Sequence, residues 1–334
     1  MTHHDTVKIG MMSFGHMHAR SYAKCVNELV GADLVGIADD NEQRGKTMAE
    51  HFNTKFFASY DDLLNAGVDA VIVGSENAKH RKLVELAAAA KKHVLCEKPL
   101  STTMEDGSAM IEACRKNGVK LQTAFPVRYA PPIAGLKELV GSGQLGQLLS
   151  VSGTNRGMNP GGWFTDTSLS GGGAVMDHTV HVVDIMRWLT GAEIVEVYAE
   201  IDNMIFGKDY EDMATLTMTF DNGVFGSLDP SWSRPKSFPY WGDVTMEVVG
   251  TNGVVGVDTF AQALDLYSDS NMNHSYQHWG GNMDKGLVES FVNAVANDTP
   301  VEVTGEDGLA AVEVTLAAYE SAKRKEPVKL PLVS

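Results

Sequence analysis

Two short stretches of this chain carry side chains that can move protons. The first is Cys96-Glu97-Lys98-Pro99, which closes an apolar run. If that run is a strand of an open α/β sheet, its carboxyl end faces a ligand crevice. A partly desolvated lysine there can exchange a proton near neutral pH, and Pro99 fixes the turn that aims it. Read alone, the same tetrapeptide is a surface Glu–Lys pair ending a strand. The second stretch is Gly171–Asp184, GGGAVMDHTVHVVD. On a helix Asp177 and His181 share a face four residues apart, and Asp184 continues it at i+7. A carboxylate orients an imidazole, fixes its tautomer and raises its basicity, so His181 is a candidate acceptor for a hydroxyl proton. A capped helix with a satisfied core histidine gives the same pattern. His178, His181 and Asp184 are also metal-ligating types, but His178 points roughly 60° away from His181, and no metal is expected.

A third pattern suits a phosphate-bearing cofactor. Val7–Met12 reads as a strand, and a helix opens after Ser13-Phe14-Gly15-His16-Met17-His18. A dinucleotide needs amide donors at a helix N-terminus and glycine where the backbone comes close. Only Gly15 stands in register with that fingerprint; Ser13 replaces the turn glycine and His18 the packing glycine. The second strand ends at Asp39, 24 positions after Gly15, close to the ~20 expected for a carboxylate that holds ribose hydroxyls. Asp39 and Asp40 repel a 2′-phosphate and favour NAD over NADP, whereas Arg44 argues the other way. Asp39 is equally a helix N-cap.

These residues need elements to position them. The first third alternates strands (Val7–Met12, Asp33–Ala38, Lys55–Phe57, Asp69–Val73, His93–Cys96, Val119–Thr123) with helices (Ala19–Leu29, Glu42–Phe52, Tyr60–Asn65, Ala78–Lys92, Met104–Asn117). Such alternation predicts a doubly wound parallel sheet, an α/β domain over residues 1–124. Residues 125–334 read differently. A helix at Pro132–Val140, a strand at Gln147–Gly153 and the helix Ala174–Leu189 precede period-2 runs at Ile194–Ile201, Met213–Phe220, Val224–Leu228, Val244–Val249 and Val254–Val257. Turns such as Asp221-Asn222-Gly223 join them, which predicts a mostly antiparallel sheet in an α+β domain. Helices at Lys285–Ala296 and Asp307–Lys325 and a strand at Val328–Leu332 complete it.

At 334 residues two domains are the natural expectation. No apolar stretch reads as a membrane span, and the polar start suggests no signal peptide. Cys25, Cys96 and Cys114 form neither a disulfide nor a zinc pattern, so a reducing cytoplasm is expected. With 27 basic and 43 acidic residues the net charge is −16, which disfavours nucleic acid and anionic membranes as partners.

Taken together, the motifs resemble the Gfo/Idh/MocA family of glucose–fructose oxidoreductase, inositol dehydrogenase and their relatives. The resemblance runs nearly end to end, through Ile9–Tyr22, Gly36–Arg44, Asp69–His80, Lys92–Leu100, Gly171–Gly191 and Asp307–Leu330. It implies a Rossmann domain followed by a domain with an open sheet. Val73–His80 is similar to the family's nicotinamide-side loop, with Ser75, Asn77 and His80 in place and Glu76 where proline is usual. Glu97-Lys98-Pro99 matches its EKP motif, and Asp177 and His181 match its paired acid and histidine. The implied reaction is hydride transfer between a sugar or polyol carbon and NAD. The catalytic set is Lys98, Asp177 and His181, with the roles of Lys98 and His181 exchangeable. Ser13, Phe14, Gly15, His16, Met17, Asp39, Asp40, Arg44, Ser75, Asn77, His80, Glu97 and Lys98 are expected around the cofactor. Arg128, Tyr129, Asn155, Arg156, Trp163 and Trp232 are expected around the substrate beside Asp177 and His181. An NAD-dependent glycosidase using transient oxidation is an alternative; a non-catalytic NAD-binding regulator would lack the Lys–Asp–His set. A homodimer or homotetramer is implied by the open sheet.

Overall fold

The computed structural model describes residues 6–261, 263–270, 272–278 and 281–332, without side chains for 263–268 and 273–278. The chain forms two compact units, Met1–Pro126 with Asp284–Val312, and Val127–Met283 with Glu313–Ser334. A single cut at 124/125 therefore misses the return of 284–312 to the first unit. That segment covers an exposed strand edge: Thr123 N donates to Val303 O at 3.1 Å, and Thr123 Oγ1 to Thr304 O at 3.0 Å.

The first unit contains β1 (Val7–Met12), α1 (His18–Glu28), β2 (Ala32–Ala38), α2 (Glu42–His51), β3 (Lys55–Phe57) and α3 (Tyr60–Leu64). It continues with β4 (Ala70–Val73), α4 (His80–Ala89), β5 (His93–Cys96), α5 (Met104–Asn117) and β6 (Leu121–Thr123). The six strands pair in parallel in the order β3-β2-β1-β4-β5-β6. Strands covered on both faces must be apolar throughout. Accordingly Ile9, Met11, Met12, Val71, Ile72, Val73, Val94 and Leu95 are fully buried. The strand order reverses between β1 and β4, and ligands bind beyond the carboxyl ends of strands at such a switch point. Short polar caps start the covering helices: Asn41 accepts from Arg44 N, Ser59 from Asp62 N and Thr103 from Asp106 N.

In the second unit, α6 (Pro131–Gly141) and β7 (Leu148–Thr154) precede the short helix α7 (Thr167–Ser170) and the long α8 (Ala174–Thr190). The strands β8 (Ile194–Asp202), β9 (Met213–Phe220), β10 (Phe225–Asp229), β11 (Thr245–Gly250) and β12 (Gly253–Asp258) follow. A hairpin, β13 (Ala263–Ser268) with β14 (Asn273–His278), was not anticipated from the sequence. Then come α9 (Met283–Ala296), α10 (Gly305–Arg324) and β15 (Val328–Lys329). The sheet order is β12-β11-β7-β10-β9-β8-β15, antiparallel except for the parallel pair β7 and β10. One face packs on α8 through Val151, Leu216, Met218 and Leu228. The other presents hydroxyls, including Ser150, Ser152, Thr217, Thr219 and Ser227, around the exposed Phe225. Among the described residues no helix is long and apolar enough to cross a membrane.

Candidate active site

In the first unit β1 ends at Met12 and Ser13 turns the chain with φ 73°, the left-handed region where a glycine is usual. Serine holds this turn because its Oγ accepts from Gly15 N at 3.1 Å, while its own N–H donates to Ala38 O at 2.8 Å. A Cβ on Gly74 would lie 2.7 Å from that of Ala19. This close approach of β4's end to α1 supplies the helix–strand packing that His18 could not. A Cβ on Gly15 would lie 2.9 Å from Glu76 Oε2. Gly15 thus lets the backbone of the turn pack directly against Glu76. Phe14 and His16 are buried and Met17 is exposed.

Asp39 stands at the end of β2, as the sequence suggests, but not as an open carboxylate. Its Oδ2 accepts from Phe14 N at 2.7 Å and Arg44 Nε at 2.8 Å; its Oδ1 accepts from Asn41 N at 2.8 Å and Arg44 Nη2 at 2.7 Å. The cap of α2 is Asn41, which places Arg44 one turn on and folds its guanidinium back over Asp39. Arg44 also reaches Asp40 at 3.1 Å, and Asp40 pairs with Lys79, which lies 3.0 Å from Glu76. The charge expected to repel a 2′-phosphate is thus largely matched by cations.

The loops after β4 and β5 are stitched by His80. Its Nδ1 lies 3.0 Å from Pro99 O and 3.2 Å from Leu100 O, and its Nε2 3.3 Å from Ser75 O. Burial pushes its pKa down, against the opposing pull of Glu97 and these carbonyl contacts. Ser75, Asn77, Glu97 and Lys98 are all buried beside it. Glu97 Oε2 accepts from Lys98 N at 2.9 Å. Burial pushes the Glu97 carboxyl up, but His16, His18 and Lys98 outweigh it and hold the group well below the usual carboxylate range.

In the second unit nearly every residue of α8 is buried, so its polar side chains sit at fixed positions. Glu211 anchors its start, with Oε1 accepting from Gly173 N at 2.7 Å, Val175 N at 3.2 Å and Tyr319 Oη at 2.6 Å. Asp177 Oδ2 accepts from Trp232 Nε1 at 3.2 Å and lies 3.2 Å from His178 Nε2. His178, set aside by helical-wheel reasoning, is therefore a neighbour of the Asp177 carboxylate. His181 is buried one turn further on.

Two expected substrate contacts are placed otherwise. Trp232 is 0% exposed and lies in a core cluster with Phe164 and Ala174, so its ring offers no face to a sugar. Arg128 binds Asp184 with Nε to Oδ2 at 2.6 Å and Nη2 to Oδ1 at 2.5 Å, and stacks over Trp188 at 5.3 Å. A guanidinium so engaged ties the start of the second unit to α8 through Asp184. Asn155 is buried and donates to Asp243 O at 3.0 Å. Arg156 lies 3.4 Å from Asp243, and Trp163 stacks on Phe164 at 3.9 Å. Tyr129, Arg156 and Trp163 keep part of their surface exposed. Glu211 was missed because its partners lie 36–108 positions away.

Known proteins share this arrangement. Residues 7–125 match the oxidoreductase family with an NAD-binding Rossmann fold, and residues 133–256 the GFO/IDH/MocA C-terminal domain. Myo-inositol 2-dehydrogenase of Thermotoga maritima is 32% identical over 334 residues, covering 96% of this chain and 97% of its own. D-xylose 1-dehydrogenase [NADP(+)] of Haloarcula marismortui is 25% identical over 88% of this chain and 84% of its own. The structure of GenD2 from gentamicin A biosynthesis, in complex with NAD, superposes with a TM-score of 0.89 at 25% identity, covering 98% of this chain and 97% of that one. With a dinucleotide turn on a six-stranded parallel sheet, a matching C-terminal domain and similarity along the whole length, this chain belongs to the GFO/IDH/MocA family of oxidoreductases.

Proposed function

We propose that the protein is an NAD-preferring dehydrogenase that oxidises a hydroxyl-bearing carbon of a sugar or polyol. The observation that carries this reading is the gathering of the Ser13–Gly15 turn, Asp39, Asn77 and Glu97–Lys98 at the carboxyl ends of β1, β2, β4 and β5, beside the switch point. A bound nicotinamide dinucleotide would accept the hydride. The Ser13–Met17 turn and the Ser75–Asn77 loop would hold it, and Asp39 with Arg44 would meet the adenosine ribose. In this reading His181, supported by the Asp177 carboxylate, takes the hydroxyl proton, while Lys98 donates a hydrogen bond to the same oxygen and stabilises its developing charge. Tyr129, Arg156 and Trp163 are the substrate-facing side chains. The reading requires Lys98 and His181 to reach one substrate oxygen.

The test is a screen of polyols, aldoses and glycosides with NAD and NADP, following absorbance of the reduced cofactor. On the best substrate Lys98→Met and His181→Ala should each lower turnover at least ~100-fold with NADH affinity little changed. The losses should fail to add, since the two groups serve one proton. Near-parental turnover in a folded Lys98→Met protein would refute the mechanism. Release of free sugar without net reduced cofactor would assign a glycosidase instead.

A further inference from the structure

His178 has no part in the mechanism above, yet its ring lies against the Asp177 carboxylate. The residue is 5% exposed, and both of its ring nitrogens face oxygen. Nδ1 lies 3.2 Å from Pro230 O, and Nε2 lies 3.2 Å from Asp177 Oδ2. We infer that His178 is held as a doubly protonated imidazolium, a positioning residue that fixes and partly neutralises the carboxylate on which His181 depends.

Counting protons leads there. A backbone carbonyl only accepts, so the hydrogen bond to Pro230 O puts a proton on Nδ1. A neutral imidazole has no second proton, and its Nε2 would turn a lone pair toward a carboxylate oxygen. Two such atoms 3.2 Å apart repel, whereas a proton on Nε2 makes the contact an ion pair. The proton belongs on the nitrogen, because Asp177 Oδ2 also accepts from Trp232 Nε1 at 3.2 Å. Two N–H groups aimed at one oxygen favour the ionised carboxylate. Burial penalises either charge alone, so each holds the other in its charged form.

The ring is also fenced in. The backbone at Gly157 passes so close that a Cβ there would lie 2.6 Å from His178 Cε1 and 3.2 Å from Nε2. Gly157 is tied in turn, its N–H donating to Ser231 O at 3.1 Å and its O accepting from Arg234 N at 2.9 Å. The Trp232 ring meets the imidazole edge-on, with centroids 6.4 Å apart. Other titratable groups at this end of α8 are Glu211 at its first turn, Tyr319 bonded to Glu211, and Tyr210 against Trp232. Arg156 and Arg234 adjoin Gly157, but their guanidiniums turn to Asp243. His181 follows three residues after His178, and residues so spaced on a helix are neighbours. A cation at His178 therefore opposes a second one at His181, which stays neutral, and able to take a proton, down to lower pH. This consequence rests on the reading of His181 as proton acceptor; the protonation of His178 does not.

The experiment uses the full chain with nitrogen-15 in its histidine rings. NMR should show His178 with protons on both ring nitrogens at and above neutrality, where an ordinary histidine, titrating at about 6.5, has lost one. Its signals are identified by their loss in His178→Gln, or by their contact with the Trp232 ring should that variant not fold. His178→Gln keeps an N–H donor for one of the two oxygens and removes the charge. On the best substrate it should move the acidic limb of the pH–turnover profile to higher pH by roughly one unit. A merely structural histidine would lower the folded fraction and leave the limb in place. A single ring proton on His178 at neutrality would overturn the proposal, and so would a parental limb in folded His178→Gln. If no polyol, aldose or glycoside is turned over, the dehydrogenase reading fails while the NMR result still decides the protonation of His178.

Discussion

Replacing Glu211 tests how α8 is held. One oxygen of this side chain takes the Gly173 and Val175 amides and the Tyr319 hydroxyl. Glu211→Ala leaves these donors facing a space with no acceptor. An orphaned buried donor costs about 1–3 kcal/mol, and the carboxylate's interaction with the helix N-terminus adds about 0.3–2 kcal/mol. Against this stands relief of the burial that pushes the Glu211 pKa up. Water will reach some of the donors, so the net loss should be about 3 kcal/mol. Glu211→Gln keeps an oxygen for the three donors and removes the buried charge, so it should stay within about 1 kcal/mol of the parent.

The sign of the pH dependence follows from the raised pKa. An acid whose folded pKa lies above its unfolded value of about 4.3 contributes its stability below that value and loses it as pH rises through the folded one. The stability difference should therefore move in favour of Glu211→Gln between about pH 4 and neutrality. Urea unfolding followed by tryptophan fluorescence at several pH values measures all three quantities. A Glu211→Ala protein within about 1 kcal/mol of the parent, or a Gln variant as damaged as Ala, would refute the reasoning. A gap that moves the opposite way with pH would do the same.

Two further outcomes are expected. Because Arg44 is held by Asp39, Asp39→Ala should free the guanidinium and raise the NADP-to-NAD ratio of kcat/KM by at least ~10-fold, a change of about 1.4 kcal/mol in relative transition-state binding; an unchanged ratio in steady-state kinetics would contradict that. The hydroxyl-rich sheet face around Phe225 should join copies of the chain into a dimer or tetramer, and Phe225→Asp should shift it toward monomer. Light scattering at micromolar concentration decides, and a monomeric parent would end the idea.

Much of the layout was legible in the chain itself. Apolar runs bounded by turn residues marked β1, β4 and β5, because a strand buried on both faces must be apolar at every position. Helix-spaced residues over Ala174–Leu189 marked α8. The linear order of the Ser13–His18 turn, Asn77, Glu97-Lys98 and Asp177–His181 was enough to identify the family. Boundaries moved by only a residue or two at most elements.

What the chain could not disclose is which charges meet. Asp39 with Arg44 and Asp40 with Lys79 depend on where a loop folds back, and Arg128 with Asp184 spans 56 positions. Trp232 looked like a sugar platform because aromatic residues are used both for packing and for stacking; only its burial beside Phe164 and Ala174 decided between them. His18 appeared as the replacement for a glycine, and His16 only as a residue of the turn, until Glu97, 79 positions from His18, closed on them. Local pattern specifies strands, helices and their order, since these depend on period and on neighbours within a few residues. Pairings between distant side chains depend on how the elements pack, so they were decided by the tertiary structure alone.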